Sequence, residues 1–456
     1  MTTPVRQFAR SSGAMAVLYA GSTALTFLVG ALLARLLGAG GYGVYALAMT
    51  TATLAGMVTE FGLPVLAMRE TGAARASGDW GALRGLLHWA DRAILALSLA
   101  LIAATWAGVL VFAPERASAY LATLLWAVAL VPFVAVGKLR AFVLLALDRT
   151  FASQAPVMIL RPLLFLAGCV ALWQAWGGLT PEAAMAAQVG GAALAMAVSL
   201  ALYRRFRPAA LGLAAPVYAV RSWLAACLPM GLSEGLRLLQ GQLALLLTGA
   251  LATAAEAGIY RVADAAAQIT ALFASIAGTA ATPMFARLWQ AGDREGTERV
   301  AVLAAWTMLG GALLLGAPLA LLGDWLFPWV FGAEFAPSVA VFRVLWLGSL
   351  VWSCGGLALA LANMTGHHVL ATRAFAVIAL VNLVAGFALV PRLGALGAAW
   401  ACALAMIAGT AYCAWRLFRL TGLNCTLANP AALAVLAAAI RGGLARLVRL
   451  GEGRAR

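Results

Sequence analysis

The sequence predicts an all-α, polytopic membrane protein: about twelve transmembrane helices in two six-helix bundles, related by pseudo-two-fold symmetry around a central cavity. The first observation is composition, since the 456 residues are 64% hydrophobic and 10% charged, with a mean hydropathy of +0.95. The second is that uncharged stretches of membrane-spanning length recur along the chain, and the third is that landmarks of the first half recur in the second. A soluble domain of this length could not bury so much apolar surface.

The predicted transmembrane helices are stretches close to the roughly 20 residues that a helix needs to cross about 30 Å of hydrocarbon. One of them, 222–255, is interrupted by Glu234 and Arg237. The first stretch is longer than the apolar core of a signal peptide, which favours a retained helix. The uninterrupted stretches are 11–34, 36–59, 93–114, 117–137, 162–181, 183–203, 265–286, 300–323, 344–366, 374–391 and 393–415.

The basic residues predict the orientation of these helices. With the N-terminus inside, most of the 31 Lys and Arg residues fall in cytoplasmic loops and in the C-terminal tail. The positive-inside rule therefore predicts a multi-pass membrane protein with both termini in the cytoplasm. Orientation also accounts for much of the +15 net charge, so the basic cluster 204–207 needs no nucleic-acid partner.

An internal repeat predicts the domain organisation. Gly43-Val44-Tyr45 lies near the start of the second helix and Gly258-Ile259-Tyr260 just before the eighth, and a Gly-Asp pair follows each at similar spacing. Six helices return the chain to its starting side, so the two halves share one topology, which is a transporter architecture. The predicted parts are an N-terminal six-helix bundle at 11–207, a cytoplasmic linker at 208–220, a C-terminal six-helix bundle at 221–419 and a basic amphipathic tail at 420–456.

Four cations lie within or beside the predicted helices, where an Arg at the bilayer centre costs about 2.5–3.5 kcal/mol unless it faces protein or water. They are Lys138, Arg140, Arg161 and Arg237. Such an excess of cations favours an anionic cargo, and guanidinium groups suit a diphosphate in particular. Two alternatives stay open: Glu234 and Arg237 as a structural ion pair, and the other three cations as side chains that reach the inner interface.

Polar residues on the helices extend this prediction. Glu60 and Glu234 lie near prolines, and with Asp264 they are candidates for coupling transport to H⁺ or Na⁺. Predicted polar lining of the cavity comprises Tyr19, Thr23 and Thr26 on the first helix and Gln268 and Ser275 on the eighth. Stripes of this kind also act as polar contacts between packed helices, which is the alternative interpretation.

An enzyme is disfavoured by what surrounds the helices. The six cysteines and three histidines show no metal-binding spacing, and no cofactor is predicted. The largest outer loop, 323–338, contributes only Asp324 and Glu334 as acids. A membrane-embedded polysaccharide polymerase or glycosyltransferase, which usually carries clustered acids or histidines in a large loop, stays a second alternative.

Ordered motifs along nearly the whole chain carry a family resemblance. They are the segments 37–45, 60–64, 69–70, 258–260, 282–283, 292–293, 331–335, 343–345, 365–367, 390–391 and 394–399. With these motifs the chain resembles the polysaccharide-biosynthesis flippases of the multidrug/oligosaccharidyl-lipid/polysaccharide exporter superfamily. The resemblance implies two six-helix bundles around a cationic cavity that moves an undecaprenyl-diphosphate-linked saccharide from the cytoplasmic to the outer leaflet by alternating access.

The resemblance also implies site residues and partners. Cavity arginines are essential in the related lipid II flippases, and Arg373 joins the four cations above as a positional candidate here. Implied partners are the polyprenyl-diphosphate-linked saccharide, membrane lipids, and the polymerase and glycosyltransferases that assemble O-antigen, capsule or exopolysaccharide. The main alternative is a cation-coupled multidrug antiporter of the same superfamily, which the excess of cations disfavours.

Overall fold

A computed structural model describes residues 3–112, 118–355, 357–427 and 429 of the chain. Over these residues the secondary structure is helical and includes no strand. The all-α fold class is therefore confirmed. The amphipathic tail predicted at 420–456, and the question of a further membrane segment at 421–440, fall almost entirely outside the described residues.

The first half of the chain contains nine α-helices. A π-helical turn at Pro156–Leu160 joins α6 to α7, so that residues 150–176 form one apolar helix. A proline in the first turn of α5 separates α4 from α5 by a mild break, because proline cannot donate the helical hydrogen bond. The helices are α1 (Thr3–Glu60), α2 (Leu63–Ser77), α3 (Trp80–Phe112), α4 (Ala119–Ala129), α5 (Val131–Ala146), α6 (Thr150–Ala155), α7 (Arg161–Trp176), α8 (Pro181–Phe206) and α9 (Ala209–Leu213).

The second half contains eight α-helices and a short 3₁₀ turn at Ala333–Phe335. The pairs α11 with α12 and α15 with α16 are each bent by more than 40° at a short break, as one broken membrane span would be. The helices are α10 (Val220–Leu251), α11 (Ala254–Thr270), α12 (Leu272–Gln290), α13 (Arg294–Leu321), α14 (Gly323–Phe331), α15 (Ser338–Cys354), α16 (Ala358–Met364) and α17 (His368–Thr421).

Seven helices in the described chain are long and apolar enough to cross a membrane, or nine when each bent pair is one span. Two of the seven have apolar regions of 40 and 53 residues, far more than one crossing needs. Each contains a glycine with non-helical dihedral angles, Gly38 in α1 and Gly394 in α17. With these two helices counted as two segments each, and with α10 added, the structure agrees with the twelve predicted helices.

Several helices extend beyond their predicted ends. The third begins at Trp80 instead of residue 93, and the fifth begins at Thr150 instead of residue 162. Charged side chains had marked these ends in the sequence, but a helix tolerates them where they reach protein partners or polar surroundings. As a result Arg161 lies well inside its helix instead of near the start.

The two copies of the internal repeat touch each other at equivalent glycines. A Cβ added at Gly43 would lie 1.6 Å from the carbonyl oxygen of Ala254, and one added at Gly258 would lie 2.2 Å from that of Ala39. Ala39 precedes Gly43 by the same four positions by which Ala254 precedes Gly258. Each glycine therefore contacts the alanine that lies four residues before the other glycine. Reciprocal contacts of this kind are expected between two elements related by two-fold symmetry.

A carboxylate fixes the break at Gly38. Glu334 accepts a hydrogen bond of 2.8 Å from the backbone N–H of Ala39, the first residue after the break. Arg35, just before the break, donates to the backbone oxygen of Val330 at 2.7 Å. A negative charge at the start of a helix is favourable because of the unpaired N–H groups there. Glu334 of the predicted outer loop thus has a structural role in the fold.

By internal contacts the chain divides into two compact units. The first runs to Val262 and includes Val330–Phe335, and the second contains Ala263–Trp329 and the described residues from Ala336 onward. The first unit is built on a core that includes Leu66, Leu86 and Leu139, and the second on one that includes Phe285 and Met308. These contacts place α10 in the first unit, so the predicted bundle boundary at 208–220 stays a prediction of the sequence.

Candidate functional site

Two ion pairs form a charged cluster in the first unit. Lys138 of α5 donates to the Glu60 carboxylate at the end of α1 over 2.6 Å. Arg237 donates through Nε and Nη2 to the two oxygens of Glu234, three residues earlier on α10, at 2.9 and 2.7 Å. Lys138 also lies near Glu234. Three candidate segments of the sequence therefore bring two ion pairs close together in a cluster of four charged residues.

A break in the backbone positions this charged cluster. Phe61 and Gly62, directly after Glu60, have φ angles of 30° and 77°, in the left-handed region that favours glycine. A Cβ at Gly62 would lie 2.9 Å from the backbone nitrogen of Gly231 and 3.0 Å from the oxygen of Cys227, both on α10. The chain therefore turns at Gly62 because glycine alone fits there, and this close crossing brings Glu60 towards the charged pair on α10.

The ion pairs correct one interpretation of the sequence, namely that the buried cations greatly exceed their acid partners. Three of the five candidate cations are paired: Lys138 with Glu60, Arg237 with Glu234, and Arg140 with Asp91. The interpretation of Glu234 and Arg237 as an ion pair is therefore correct. It does not exclude function, because the side chain of Arg237 is 57% exposed and that of Glu234 33% exposed, so an incoming anion can reach them.

Arg161 differs from the paired cations. It lies within the apolar helix 150–176, directly after the π-helical turn, and turns of this kind are frequent at functional sites. Its side chain forms no hydrogen bond or ion pair with any described residue. A cation at this depth is costly unless it faces a polar space or meets a ligand. Arg161 is therefore the candidate whose position most requires an anionic partner.

A group of stacked aromatic rings includes one neighbour of Arg161. Tyr45 lies near both Arg161 and Arg261, and its ring stacks on that of Phe165 with a centroid distance of 6.0 Å. Tyr42 also stacks with Tyr45, at a centroid distance of 6.5 Å. The sequence analysis did not predict these aromatic residues as part of the site. The signal that could have indicated them is the Gly-x-Tyr motif, whose repeated tyrosine is Tyr45.

Arg140 does not join the charged cluster. It lies two residues beyond Lys138, so the two side chains leave α5 on nearly opposite faces. Arg140 forms a charged hydrogen bond with Asp91 of α3 and lies over the ring of Tyr203 of α8, 4.7 Å from its centroid. The sequence offered no sign that Asp91 is its partner, since the two residues are distant in the chain.

The remaining predicted site residues lie apart from this cluster. In the second unit, Arg373 is exposed near the start of α17, and Asp264 accepts a hydrogen bond of 2.9 Å from Gln268. Ser275 is exposed on α12. In α1 Thr23 is half-buried and Thr26 exposed, and the side chain of Tyr19 lies outside the description. Their roles in lining a cavity or coupling an ion stay predictions.

Residues 8–289 match the family described as polysaccharide biosynthesis protein. The chain belongs to this family. No curated protein matches the sequence.

Solved structures share the fold of this family member. A lipid II flippase, MurJ, in an inward closed conformation aligns with a TM-score of 0.69 at 14% identity, over 89% of this chain and 87% of that one. An inward-facing multidrug resistance MATE family transporter of the MOP superfamily aligns with a TM-score of 0.71 at 14% identity, over 88% and 95%.

A third similar structure, a MOP superfamily transporter from Pyrococcus furiosus, is described as having a binding pocket of reversed polarity. It aligns with a TM-score of 0.64 at 14% identity, over 92% of this chain and 96% of that one. At these identities the likeness concerns the fold. This polysaccharide biosynthesis protein is therefore a multi-pass membrane protein with the fold of MOP superfamily transporters.

Proposed function

We propose that the protein is a flippase that moves an undecaprenyl-diphosphate-linked saccharide from the cytoplasmic to the outer leaflet of the bacterial inner membrane by alternating access. The observation that carries this proposal is Arg161, a cation within an apolar helix with no partner in the described chain. Membership of the polysaccharide biosynthesis family supports a saccharide cargo. The diphosphate of such a lipid supplies the anionic partner that Arg161 lacks.

The ion pairs give the proposed cycle a means of binding and release. A diphosphate that reaches the charged cluster competes with Glu60 for Lys138 and with Glu234 for Arg237. Binding then needs no new cation to be buried, because each cation exchanges one anionic partner for another. The prenyl chain stays in the lipid while the head group moves to Arg161, and the carboxylates recover their cations once the diphosphate has moved on.

Coupling to H⁺ or Na⁺ fits the same exchange. A proton taken up by Glu60 or Glu234 would free its partner cation for the diphosphate, and a proton released would help to expel it. Asp264 is the third candidate for an ion-coupling carboxylate. The partners of the cycle are the glycosyltransferases that build the lipid-linked saccharide and a polymerase that uses it for O-antigen, capsule or exopolysaccharide.

The test of this proposal is the substitution Arg161→Gln in the full chain. The variant is placed in proteoliposomes with an undecaprenyl-diphosphate-linked saccharide, and the saccharide that becomes accessible to an added glycosidase is measured over time. We expect the initial rate to fall about tenfold or more, because a charged contact to phosphate is lost. Arg161→Lys keeps the charge without the planar guanidinium group, so its initial rate should lie between those of the unsubstituted chain and of Arg161→Gln.

Arg205→Gln is the matched control, since this arginine is exposed at the end of α8 and its loss should leave the rate unchanged. Equal rates in the unsubstituted chain and in Arg161→Gln would overturn the proposal. So would a rate that falls equally for a neutral lipid of the same chain length, because that result would show a general folding or gating defect instead of diphosphate binding.

A cation-coupled multidrug antiporter is the second candidate, and the carboxylates of the charged cluster are the observation that favours it. An antiporter of this kind binds cationic drugs at an acidic group, so Glu60→Gln should abolish drug efflux and Arg161→Gln should not. The flippase predicts no drug efflux in either form and loss of saccharide movement in Arg161→Gln. Efflux of an added cationic dye from intact cells distinguishes the two functions.

A further inference from the structure

A second cationic site lies in the first unit, in a cavity between α3, α5, α8 and α9 that the proposed transport cycle does not use. Its volume is about 190 Å³, roughly six times the ~30 Å³ that a molecule of liquid water occupies. The cavity therefore has room for a small polar head group. Its charged lining consists of Arg84, Arg140, Arg204, Arg207 and a single acid, Asp91, with His88 beside them.

Arg140 is the buried centre of this cavity, with only 6% of the residue exposed. Its Nη2 binds Asp91, but its Nε and Nη1 are buried without a hydrogen-bond partner, and so is Oδ1 of Asp91. Buried donors and acceptors are normally satisfied, since an unpaired one loses its hydration with nothing in return. Arg140 thus holds unused donors and Asp91 an unused acceptor just behind the wall of the cavity, where a side-chain rotation would expose them to a ligand.

The other arginines divide into one that builds the cavity and two at its rim, of which Arg207 also donates a hydrogen bond to the Tyr203 hydroxyl. Nη1 of Arg84 donates to the backbone oxygens of Gly212 and Ala214 at 2.7 and 2.6 Å, which holds the segment after α8 over the site. Arg204 and Arg207 are exposed at its rim. Neither forms an ion pair with a carboxylate in the described part of the chain. Their charges are therefore available to an anion.

The position of the cavity matches the head-group level of the membrane. Asp91 comes just before one predicted apolar stretch, Arg140 just after another, and Tyr203 ends a third, and basic residues at such ends are predicted to face the cytoplasm. Beside the cavity, Leu213 is 87% exposed and Val217 56% exposed, as apolar side chains at a lipid interface would be.

We infer that this cavity binds a phosphate ester that carries a neighbouring hydroxyl group. The phosphate would accept hydrogen bonds from Arg204 and Arg207 at the rim. After a rotation of the Arg140 and Asp91 side chains, it would also accept from Arg140, and the hydroxyl would donate to the unused oxygen of Asp91. A phosphoglycerol group has this chemistry, either as the head group of phosphatidylglycerol or as soluble glycerol phosphate. The inference does not depend on the transport function, since no residue of the charged cluster lines this cavity.

The test uses the purified full-length protein in detergent micelles, with binding measured from the rise in unfolding temperature during lipid titration. Phosphatidylglycerol should raise that temperature at concentrations about tenfold lower than phosphatidylcholine does. In the variant carrying both Arg204→Gln and Arg207→Gln this preference should be lost. Arg205→Gln, which removes one positive charge from a neighbouring residue outside the lining, should keep it.

Two further probes identify which features of the ligand the cavity recognises and whether the ligand is a lipid. Phosphatidylmethanol has the charge of phosphatidylglycerol without its hydroxyls, and it should bind severalfold more weakly because Asp91 stays unsatisfied. Competition by soluble glycerol phosphate would support the site and identify a soluble source, whereas binding of the lipid without such competition would support the site and identify a membrane lipid.

Either of two results would overturn the inference. One is an equal effect of phosphatidylglycerol and phosphatidylcholine on the unsubstituted protein. The other is an equal loss of preference in Arg205→Gln and in the double variant, since the effect would then reflect net charge and not this cavity. Equal binding of phosphatidylmethanol and phosphatidylglycerol would overturn the role given to Asp91.

Discussion

The two ends of the second segment of α1 are held in different ways. Near its start, Gly43 lies directly on the backbone of Ala254, with the equivalent contact between Gly258 and Ala39. At its far end, Glu60 is held by Lys138. The first end is closed by contacts between backbones, and the second by an ion pair that an anion can replace.

This difference suggests where the molecule can change its contacts. Backbone packing at a glycine is lost at once when the surfaces separate, since dispersion forces act only at close range. An ion pair can exchange its partner and keep a favourable charge interaction throughout. We therefore expect the glycine contact to be the rigid point of the segment and the charged end to be its adaptable point. Three substitutions test how much stability depends on backbone contacts and how much on paired charges.

The largest effect is expected for Gly43→Ala. The added methyl group would lie 1.6 Å from the carbonyl oxygen of Ala254, so the two backbones must separate. Overpacking typically costs about 1–3 kcal/mol, and the close contact between two backbones places this substitution at the upper end of that range. The loss should appear as a clear fall in the unfolding temperature of the purified protein.

Gly40→Ala is the control for that substitution, because nothing lies within 4 Å of a Cβ at Gly40 in the same segment. Alanine favours helix over glycine by up to about 1 kcal/mol, so this variant should be as stable as the unsubstituted protein or slightly more so. If Gly43→Ala were as stable as Gly40→Ala, the rigid contact between the repeats would be refuted.

An intermediate effect is expected for Lys138→Met. It leaves the Glu60 carboxylate, which is only 16% exposed, without its cation. Removing one partner of a fully buried pair costs about 3–5 kcal/mol, and partial exposure reduces this to about 1–3 kcal/mol. The double variant Glu60→Gln, Lys138→Met should regain most of the loss, as measured by thermal unfolding. A double variant no more stable than the single one would show that the pair is not coupled.

The smallest effect on stability is expected for Arg161→Gln. Because this cation has no partner in the described chain, its removal leaves no charge behind. The unfolding temperature should rise slightly, or change by an amount that corresponds to less than about 1 kcal/mol of stability. A fall as large as that of Lys138→Met would reveal a structural partner for Arg161 and would remove it from the proposed substrate path.

Sequence patterns predicted much of the fold because they report on single segments. Continuous apolar length decides whether a helix can cross a bilayer, and this property needs no knowledge of neighbours. The Gly-x-Tyr repeat likewise predicted the pseudo-symmetry that the contacts of Gly43 and Gly258 support. The ends of helices were harder to predict, since the sequence placed Arg161 just before a helix that in fact begins at Thr150. The residues packed around a charged side chain decide whether it can lie inside a helix.

The amino-acid order thus sufficed to predict the class of fold, the approximate number of helices and which cations lie among apolar residues. Which of those cations have partners became visible in the folded chain alone, because Lys138 and Arg140 pair with residues far away in the chain. Lys138 and Arg140 are two residues apart, yet the turn of the helix sends one to Glu60 and the other to Asp91. The charge of a side chain follows from the residue type, whereas the partner that neutralises it depends on how the helices pack.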